Sequence, residues 1–572
     1  MQLAEIYDKL EINLGEVYTP DKLSNFVSMI IMKEYLKSEN RESLVVLDPA
    51  CGDGSLLNGL QKNINEVKEK INHVEFHGCD INYKSIDIAK KRFESQAEIN
   101  FKWFVMDSII PENGKKYIDG WVSRTNKKYD VILTNPPWGA DFMHSKSELK
   151  SAGYVNTSGQ IDSYYLFVEM CYSLLKDGGI CLMILPDSIF GKEAMDIREY
   201  LVKNTELKLI SRLGEKIFNG INRATSLIMF RKNKSLGESK VTCFRLDSDS
   251  RNKYLKNELQ LDEAYEKNHH IVLQSRFLNN NCYEFDIDIK DTEIELIDKI
   301  KSYSIDWDQY FNYGRGVEIS KSGDIVRCIH CGSWQGIAKK QYKEGSKKCN
   351  NCGKSTTINQ SNTDILVSKD NNSKESIEFL VGENIKRFKI KGNRYLKMGY
   401  KGINYKDEDV YKSKKLLIRK TGLGINAVID YTGTIISQTI YYYILNEEKD
   451  FDLEYVLGVL NSRVMFYYYL KKYGENEWKS HPYLTHTIIK DFPIKKVNNE
   501  NKEIASRISS LVKKISEKGY STYLDKEIEK LVMKLYGINE VEKKIIIDEI
   551  NTLPDLSAIN NMKLDVGDII NV

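Results

Sequence analysis

Proline and long apolar runs are what this chain has least of. Nine prolines in 572 residues exclude a collagen-like or proline-rich scaffold. The longest uninterrupted apolar run, Ile180 to Pro186, falls far short of the ~20 residues that cross a bilayer. The first ten residues carry Glu5, Asp8 and Lys9 and no apolar stretch, so no secretory leader is expected. A surplus of one charge sign is missing as well: 84 Lys+Arg stand against 81 Asp+Glu, a net charge of +3. With 41% apolar and 10% aromatic residues the chain is equipped to build real cores, which excludes extended disorder. At roughly 100–200 residues per domain, the length predicts two to four domains. The expectation is a cytoplasmic protein with no membrane partner.

The near-neutral total conceals an asymmetry. Phe311 to Lys420 holds 24 Lys+Arg against 11 Asp+Glu, a local +13, which leaves the other 462 residues at −10. A basic middle region is the footprint of a surface that meets phosphate backbone, although a solvated lysine-rich surface would read the same way. The ten cysteines are informative by position. Cys51, Cys79, Cys171, Cys181, Cys243 and Cys282 are scattered, mostly in apolar strings, as buried thiols usually are. Cys328 and Cys331, then Cys349 and Cys352, form two CxxC pairs seventeen residues apart, the spacing of a four-cysteine ribbon. Four thiolates on two tight turns converge on one tetrahedral ion and leave no open position, so the expected cofactor is a structural Zn²⁺. An iron–sulfur cluster or redox thiols are the alternatives, and His330 faces away from such a knuckle.

Strand and helix patterns alternate over the first 235 residues. Apolar runs at Leu44–Leu47, Val74–Gly78, Tyr129–Thr134, Gly179–Leu185, Leu207–Leu213 and Ser226–Arg231 read as strands. Helical periodicity covers Asp21–Leu36, Ser85–Ser95, Tyr164–Leu175 and Ala194–Asn204. The pattern predicts a parallel α/β sheet covered on both faces, with ligands at the carboxyl ends of its strands. Lys232 to Asn257 reads as a charged linker with a hairpin. From about Thr292 to Pro493 short strand-like runs predominate, and from Asn499 the pattern is helical, with Gly537 a stop signal. The boundaries expected are 1–235, 236–498 with a ribbon at 326–354, and 499–572.

The polar motifs fall at the expected strand ends. Asp48-Pro49-Ala50-Cys51-Gly52-Asp53-Gly54 is a glycine turn after a strand, but its spacing is not that of a dinucleotide site. Its aspartates suit a cationic group such as an amino acid's ammonium. Asp80, followed by Ile81, ends the second strand where ribose hydroxyls would be bound, and Asp107 ends a third apolar run, placed for an adenine amine. Amino acid, ribose and adenine together describe S-adenosylmethionine. Asn135-Pro136-Pro137-Trp138 ends the next strand. An exocyclic aromatic amine is a poor nucleophile, and a site assists it by accepting both amine hydrogens, here through the Asn135 side-chain oxygen and the Pro136 carbonyl. Trp138 offers a face on which a base stacks, worth ~1–3 kcal/mol. The plain alternative is a strand-ending turn with a buried tryptophan.

Together these motifs resemble the gamma class of N6-adenine DNA methyltransferases, in which the cofactor motif precedes the catalytic motif and recognition comes last. The resemblance implies a Rossmann-like class I S-adenosylmethionine-dependent methyltransferase domain. A mixed α+β DNA-recognition domain with a zinc ribbon and a C-terminal helical segment would follow it. Gly15-Glu16-Val17-Tyr18-Thr19-Pro20 resembles the family's first motif, which implies that Tyr18, Thr19 and Pro20 pack on the methionine end of the cofactor. Gly214-Glu215-Lys216-Ile217-Phe218 resembles a later motif, which gives Phe218 the role of holding a flipped base. The family's catalytic motif more often ends in Tyr or Phe, so Trp138 is a departure that keeps the stacking face. Cys51 precedes the cofactor glycines without a Pro-Cys loop and reads as packing.

The C-terminal half resembles the TaqI-like specificity domain through Leu416–Lys420, Leu457–Ser462 and Lys490–Ile494. Lys412, Lys414, Lys415, Arg419 and Lys420 are candidate phosphate contacts, although such a charge run is more often a solvated face. The implied activity is site-specific methylation of adenine N6 in double-stranded DNA, on a base flipped from the helix. The implied setting is a bacterial or archaeal restriction-modification or phage-defence system, the enzyme being nucleoid-associated when bound. A separate restriction endonuclease is the expected partner, because the cofactor motifs begin almost at residue 1. The rivals are transfer to cytosine N4, RNA adenine or a protein glutamine amide, and a non-catalytic DNA-recognition subunit. Intact Asp48, Asp80, Asp107, Asn135 and Pro136 argue against the last.

Overall fold

The structure is a computed structural model. It describes residues 18–37, 43–65, 71, 73–94, 100–139, 144–159, 161–218, 220–233, 238–302, 304–370, 376–446, 451–474, 482–553, 559–565 and 567. The chain forms two compact units, Met1–Asp291 and Thr292–Val572.

The first unit is built on α1 (Asp21–Tyr35), β1 (Ser43–Asp48), α2 (Ser55–Asn65), β2 (His73–Asp80), α3 (Tyr83–Phe93), β3 (Asn100–Val105), α4 (Tyr117–Thr125) and β4 (Tyr129–Thr134). It continues with α5 (Ser163–Leu174), β5 (Leu175–Pro186), α6 (Met195–Asn204), β6 (Glu206–Gly214), β7 (Thr225–Arg231), β8 (Lys240–Arg245) and β9 (His270–Leu273). The nine strands form one sheet in the order β3-β2-β1-β4-β5-β7-β6-β8-β9. β1 to β5 are parallel, as their helical connections require. β7 is antiparallel to both β5 and β6, a departure from the all-parallel expectation. Only ten residues join β6 to β7, too few for the crossover that a parallel return needs.

β1 shows why the sheet is buried on both sides. Leu44 and Val46 face a core with Leu23 and Val27 of α1 and Leu57 of α2, while Val45 and Leu47 face a second core with Trp121, Leu166 and Ile197. Alternation along the strand assigns successive residues to opposite faces.

The segment expected to be a linker with a hairpin belongs to this sheet. β8 pairs parallel with β6, Ser248–Leu255 is helical, and the first unit runs to Asp291 rather than 235. Val241 and Cys243 carry the apolar alternation of a half-buried strand, which the surrounding charges mask.

In the second unit an antiparallel sheet runs Phe311–Arg315, Ile440–Leu445, Lys415–Arg419, Ala427–Asp430 in spatial order. The cysteine pairs sit beside Asp324–Arg327 and on the hairpin Ser346–Lys348/Ser355–Thr357. Helix Leu453–Leu460 lies close against Lys502–Lys518 at Gly458, where a Cβ would come within 2.4 Å of Ile508. The helices beyond 499 are integral to this unit. Arg387 pairs with Asp525 through two bonds at 2.8 and 2.5 Å, and Arg463 reaches Glu529 at 3.1 Å, all four side chains being buried. Gly537, at φ +65°, follows the Thr522–Leu535 helix as a stop. Among the described residues no helix is long and apolar enough to cross a membrane.

Candidate active site and cysteine site

The carboxyl ends of β1, β2, β3 and β4 bring the polar motifs of the first unit to one edge of the sheet. Asp48 closes β1. Its Oδ1 accepts from the Ala50 N–H at 3.1 Å, while Oδ2 is buried with no hydrogen-bond partner among the described residues. Burial pushes this carboxyl up to about 7, against the neighbouring Thr134 side chain and the Ala50 N–H, with Asp80 and Asp53 adding to the rise. The Gly52 N–H donates to Asp80 Oδ2 at 2.9 Å and the Asn82 N–H to Oδ1 at 2.8 Å, drawing the glycine turn onto the end of β2 beside Ile81. Ser108 donates to the Pro49 carbonyl at 2.5 Å and fixes the turn's first half. Gly52 (φ +52°) and Gly54 (φ +79°) adopt left-handed backbone, and a Cβ on Gly54 would come within 2.9 Å of Phe93.

Asp53 is not available to a ligand's ammonium. Its Oδ1 accepts from Ser55 N–H and Oγ at 3.1 and 2.7 Å, and its Oδ2 pairs with Arg92 of α3 at 2.5 Å. The cation expected from a ligand is supplied by the protein. Asp107 is also engaged: Oδ1 accepts from the Ile109 N–H at 2.8 Å, and Oδ2 lies 2.6 Å from His144 Nε2. That hydrogen bond raises the His144 pKa. Of the first motif, Gly15 to Val17 lie outside the described residues. The Tyr18 ring covers Gly52, where a Cβ would lie 3.3 Å away, and Thr19 is buried ahead of half-buried Pro20.

The turn after β4 is held by its backbone. Ser163 Oγ donates to the Pro137 carbonyl at 2.5 Å, Arg223 to the Trp138 carbonyl at 3.1 Å, and the Ser163 N–H to the Gly139 carbonyl at 2.9 Å. The Gly139 N–H donates to Asp162 Oδ1 at 2.9 Å. Asn135 Nδ2 donates to Thr19 Oγ1 at 3.3 Å. Asn135 Oδ1 and the Pro136 carbonyl accept no hydrogen bond among the described residues. The site therefore presents two open acceptors on consecutive residues. Trp138 is half-buried, with Nε1 donating to the Ile184 carbonyl at 3.2 Å. Phe218 meets it edge-on at 5.6 Å and is only 2% exposed, so it buttresses the tryptophan and has little surface of its own left for a base.

The cysteine turns are near copies. The Gly332 N–H donates to the Cys328 carbonyl and the Cys328 N–H to Ser333, while Gly353, Cys349 and Lys354 repeat the pattern, all at 2.8–2.9 Å. Both glycines have φ near +73°. The four Sγ atoms lie within 4.8 Å of one another, with Cys328–Cys352 at 3.6 Å and Cys331–Cys349 at 3.7 Å. The Thr356 hydroxyl, 3.4 Å from Cys328 Sγ, and the backbone N–H groups of His330 and Cys331 lower the pKa of that thiol. His330 stands apart, its Nε2 3.3 Å from the Ser355 carbonyl.

The cationic run is mostly paired. Lys415 is fully buried, its Nζ 2.8 Å from both Asp430 and the Tyr411 carbonyl, so it is not a phosphate contact. Lys414 pairs with Glu454 at 2.9 Å and Lys412 with Glu408 at 2.6 Å. Arg419 is half-buried, and Lys420 lies half-buried over the Tyr441 ring.

Several residues of this architecture were not singled out from the sequence. Asp162 and Ser163 open α5, and a Ser/Asp pair before an apolar periodic run is a helix-start signal that could have drawn attention to them. Arg92, His144, Arg223 and Thr356 carry no local signal.

The N-6 DNA methylase profile matches residues 3–309, and that of the TaqI-like C-terminal specificity domain matches residues 377–494. The chain is 25% identical over 232 residues to the methylase subunit of the type I restriction enzyme MpnII of Mycoplasma pneumoniae, covering 38% of this chain and 40% of that one. It is 27% identical over 215 residues to the type II methyltransferase M.BanIII of Aneurinibacillus aneurinilyticus, 36% of each chain. With the type II methyltransferase M.VspI of Vibrio sp. strain 343 it shares 25% identity over 312 residues, 53% of this chain and 65% of that one. The chain thus spans between about a third and two thirds of the length of these relatives.

Proposed function

The chain belongs to the N-6 DNA methylase family, and from that premise we propose that it methylates N6 of an adenine flipped out of double-stranded DNA. The observation that carries the reading is the pair of open acceptors, Asn135 Oδ1 and the Pro136 carbonyl. The next carbonyls along the turn all receive protein donors. Two acceptors side by side take the two hydrogens of an exocyclic amine and direct its lone pair along one line. Trp138 supplies the flat face against which the base is held, and the backbone clamp keeps these groups in register without reorganisation during reaction.

S-adenosylmethionine supplies the methyl group when bound, and the residues at the strand ends fit it. The unpartnered, buried Asp48 Oδ2 suits an ammonium, which would also draw the carboxyl back toward its ionised form. Asp80 and Asp107 stand at the following strand ends, where ribose and adenine would be read.

The four cysteines fit a structural Zn²⁺. Ligand distances of about 2.3 Å in a tetrahedron place sulfurs about 3.8 Å apart, close to the 3.6 and 3.7 Å observed. Restriction-modification names among the relatives support a role in host modification, with recognition carried by the second unit and cleavage by a separate nuclease.

The test is incubation of the protein with labelled S-adenosylmethionine and unmethylated genomic DNA, followed by sequencing for modified bases. N6-methyladenine confined to one short motif, absent with Asn135→Ala, is expected; label on cytosine or on no DNA would sink the proposal. Metal analysis of the purified chain should return one zinc, lost in Cys349→Ser.

A further inference from the structure

An asparagine side chain aids an amine only when its oxygen faces the amine hydrogens. Turned by 180° about the last side-chain bond, Asn135 would present Nδ2, a donor, to a donor, and one of the two acceptors would be lost. The orientation is therefore a catalytic variable that the residue does not set for itself. Among the described residues, none of the hydrogen bonds that clamp Pro137, Trp138 and Gly139 reaches the Asn135 carboxamide.

The group that does touch it is Thr19. Asn135 Nδ2 donates to Thr19 Oγ1 at 3.3 Å across 116 positions of sequence, and Thr19 is only 7% exposed. Its place is itself fixed. The Ser24 N–H donates to the Pro20 carbonyl at 2.9 Å, starting α1 immediately after Thr19. Ser24 Oγ then donates to the Ser55 carbonyl at 2.7 Å, joining α1 to the start of α2. The two helices approach closely at Gly59, where a Cβ would come within 2.2 Å of Ser24 Oγ. Next to Thr19, the Tyr18 ring rests on Gly52 of the glycine turn. Two adjacent residues thus join the cofactor turn after β1 to the catalytic turn after β4.

We propose that Thr19 is a positioning residue for methyl transfer: its hydroxyl oxygen accepts from Asn135 Nδ2 and holds the carboxamide in the orientation that leaves Asn135 Oδ1 for the acceptor amine. This rests on the adenine-methylating reading above, and gives Thr19 a role distinct from packing on the methionine end of the cofactor.

The test compares Thr19→Val, which keeps the shape and removes the acceptor, with Thr19→Ser, which keeps the acceptor. Both are measured under saturating DNA and cofactor, with cofactor affinity by calorimetry and base flipping by 2-aminopurine fluorescence at the target. Thr19→Val should lower kcat about tenfold or more, leaving cofactor affinity and base flipping within about twofold. Thr19→Ser should stay within about threefold of the wild type. Thermal melting of both variants identifies a folding defect, and should Thr19→Val fail to fold, Thr19→Cys, a weak acceptor of similar size, takes its place. A Thr19→Val enzyme with wild-type kcat, or one whose loss is restored by raising the cofactor concentration, overturns the inference alone. A wild-type chain that never methylates adenine overturns the function and this inference with it.

Discussion

The turn at Asn135–Gly139 and the cationic run at Lys412–Lys420 both carry candidate chemistry in the sequence, and the fold treats them in opposite ways. At the turn the backbone groups are consumed by Ser163, Asp162 and Arg223, and what stays open is a matched pair of acceptors. In the cationic run the backbone is the end of a helix followed by a strand; Lys415 and Lys414 are closed by Asp430 and Glu454, and Lys412 pairs with Glu408 at the surface. The difference teaches where function is legible. A turn with two prolines sets the course of its backbone within a few residues, and the distant Ser163, Asp162, Arg223 and Thr19 then hold it. A lysine's charge is placed by whatever carboxylate the tertiary fold brings to it.

The contrast can be broken in several ways. The largest effect is expected from Asn135→Ala, which removes one open acceptor. Loss of such a preorganised group costs roughly 10²–10³ in kcat or more, with duplex binding preserved. An Asn135→Ala enzyme within tenfold of wild type in a single-turnover assay would dissolve the distinction between the two regions.

Lys415→Met should act on stability and not on DNA. Removing one partner of a buried ion pair typically costs about 3–5 kcal/mol, because Asp430 is left buried without its counter-charge. Urea denaturation should show this loss, while the salt dependence of DNA affinity stays unchanged. A normal midpoint with weakened DNA binding would return Lys415 to the interface.

Asp48 sharpens the comparison, being an open carboxylate on the catalytic side. Its folded value of about 7 lies above the ordinary 3.8, so the folded state holds the proton more tightly. The stability it contributes is full below about pH 4 and is lost as pH rises through about 7, up to about 4 kcal/mol. The melting temperature of the cofactor-free protein should fall between about pH 4 and 7, and Asp48→Asn should flatten that fall. Equal slopes in both proteins would refute the assignment.

The smallest effect belongs to Lys420→Ala. Melting should be unchanged, and the slope of log affinity against log salt should fall by about 1, as for one lost phosphate contact. An unaltered slope would leave the run with no part in DNA binding.

The first unit was legible because its motifs are contiguous and end strands. Asp48, Asp80, Asp107 and Asn135 needed only the rule that a parallel sheet presents ligand groups at strand ends. The cysteine pairs were legible by spacing. What escaped depends on distant partners. Arg92 reaches Asp53 from 39 positions away, and neither residue's neighbours announce it. β8 was read as linker because charged residues surround a short apolar alternation whose partner, β6, is known only from the fold. Phe218 is given a base-holding role by its motif, and its edge-on contact with Trp138 on another loop is known only from the fold.

The buried charges of the second unit have a consequence for dissecting the chain. Arg387 and Arg463 face Asp525 and Glu529, and Arg463 also donates to the Asn561 and Met562 carbonyls. A cut at 498 would strand two guanidinium groups in an apolar interior with no counter-charge. The smallest electrically complete piece of the second half therefore begins near Thr292 and reaches Met562. The terminal helices are the return path of a charge circuit that the sheet alone cannot close.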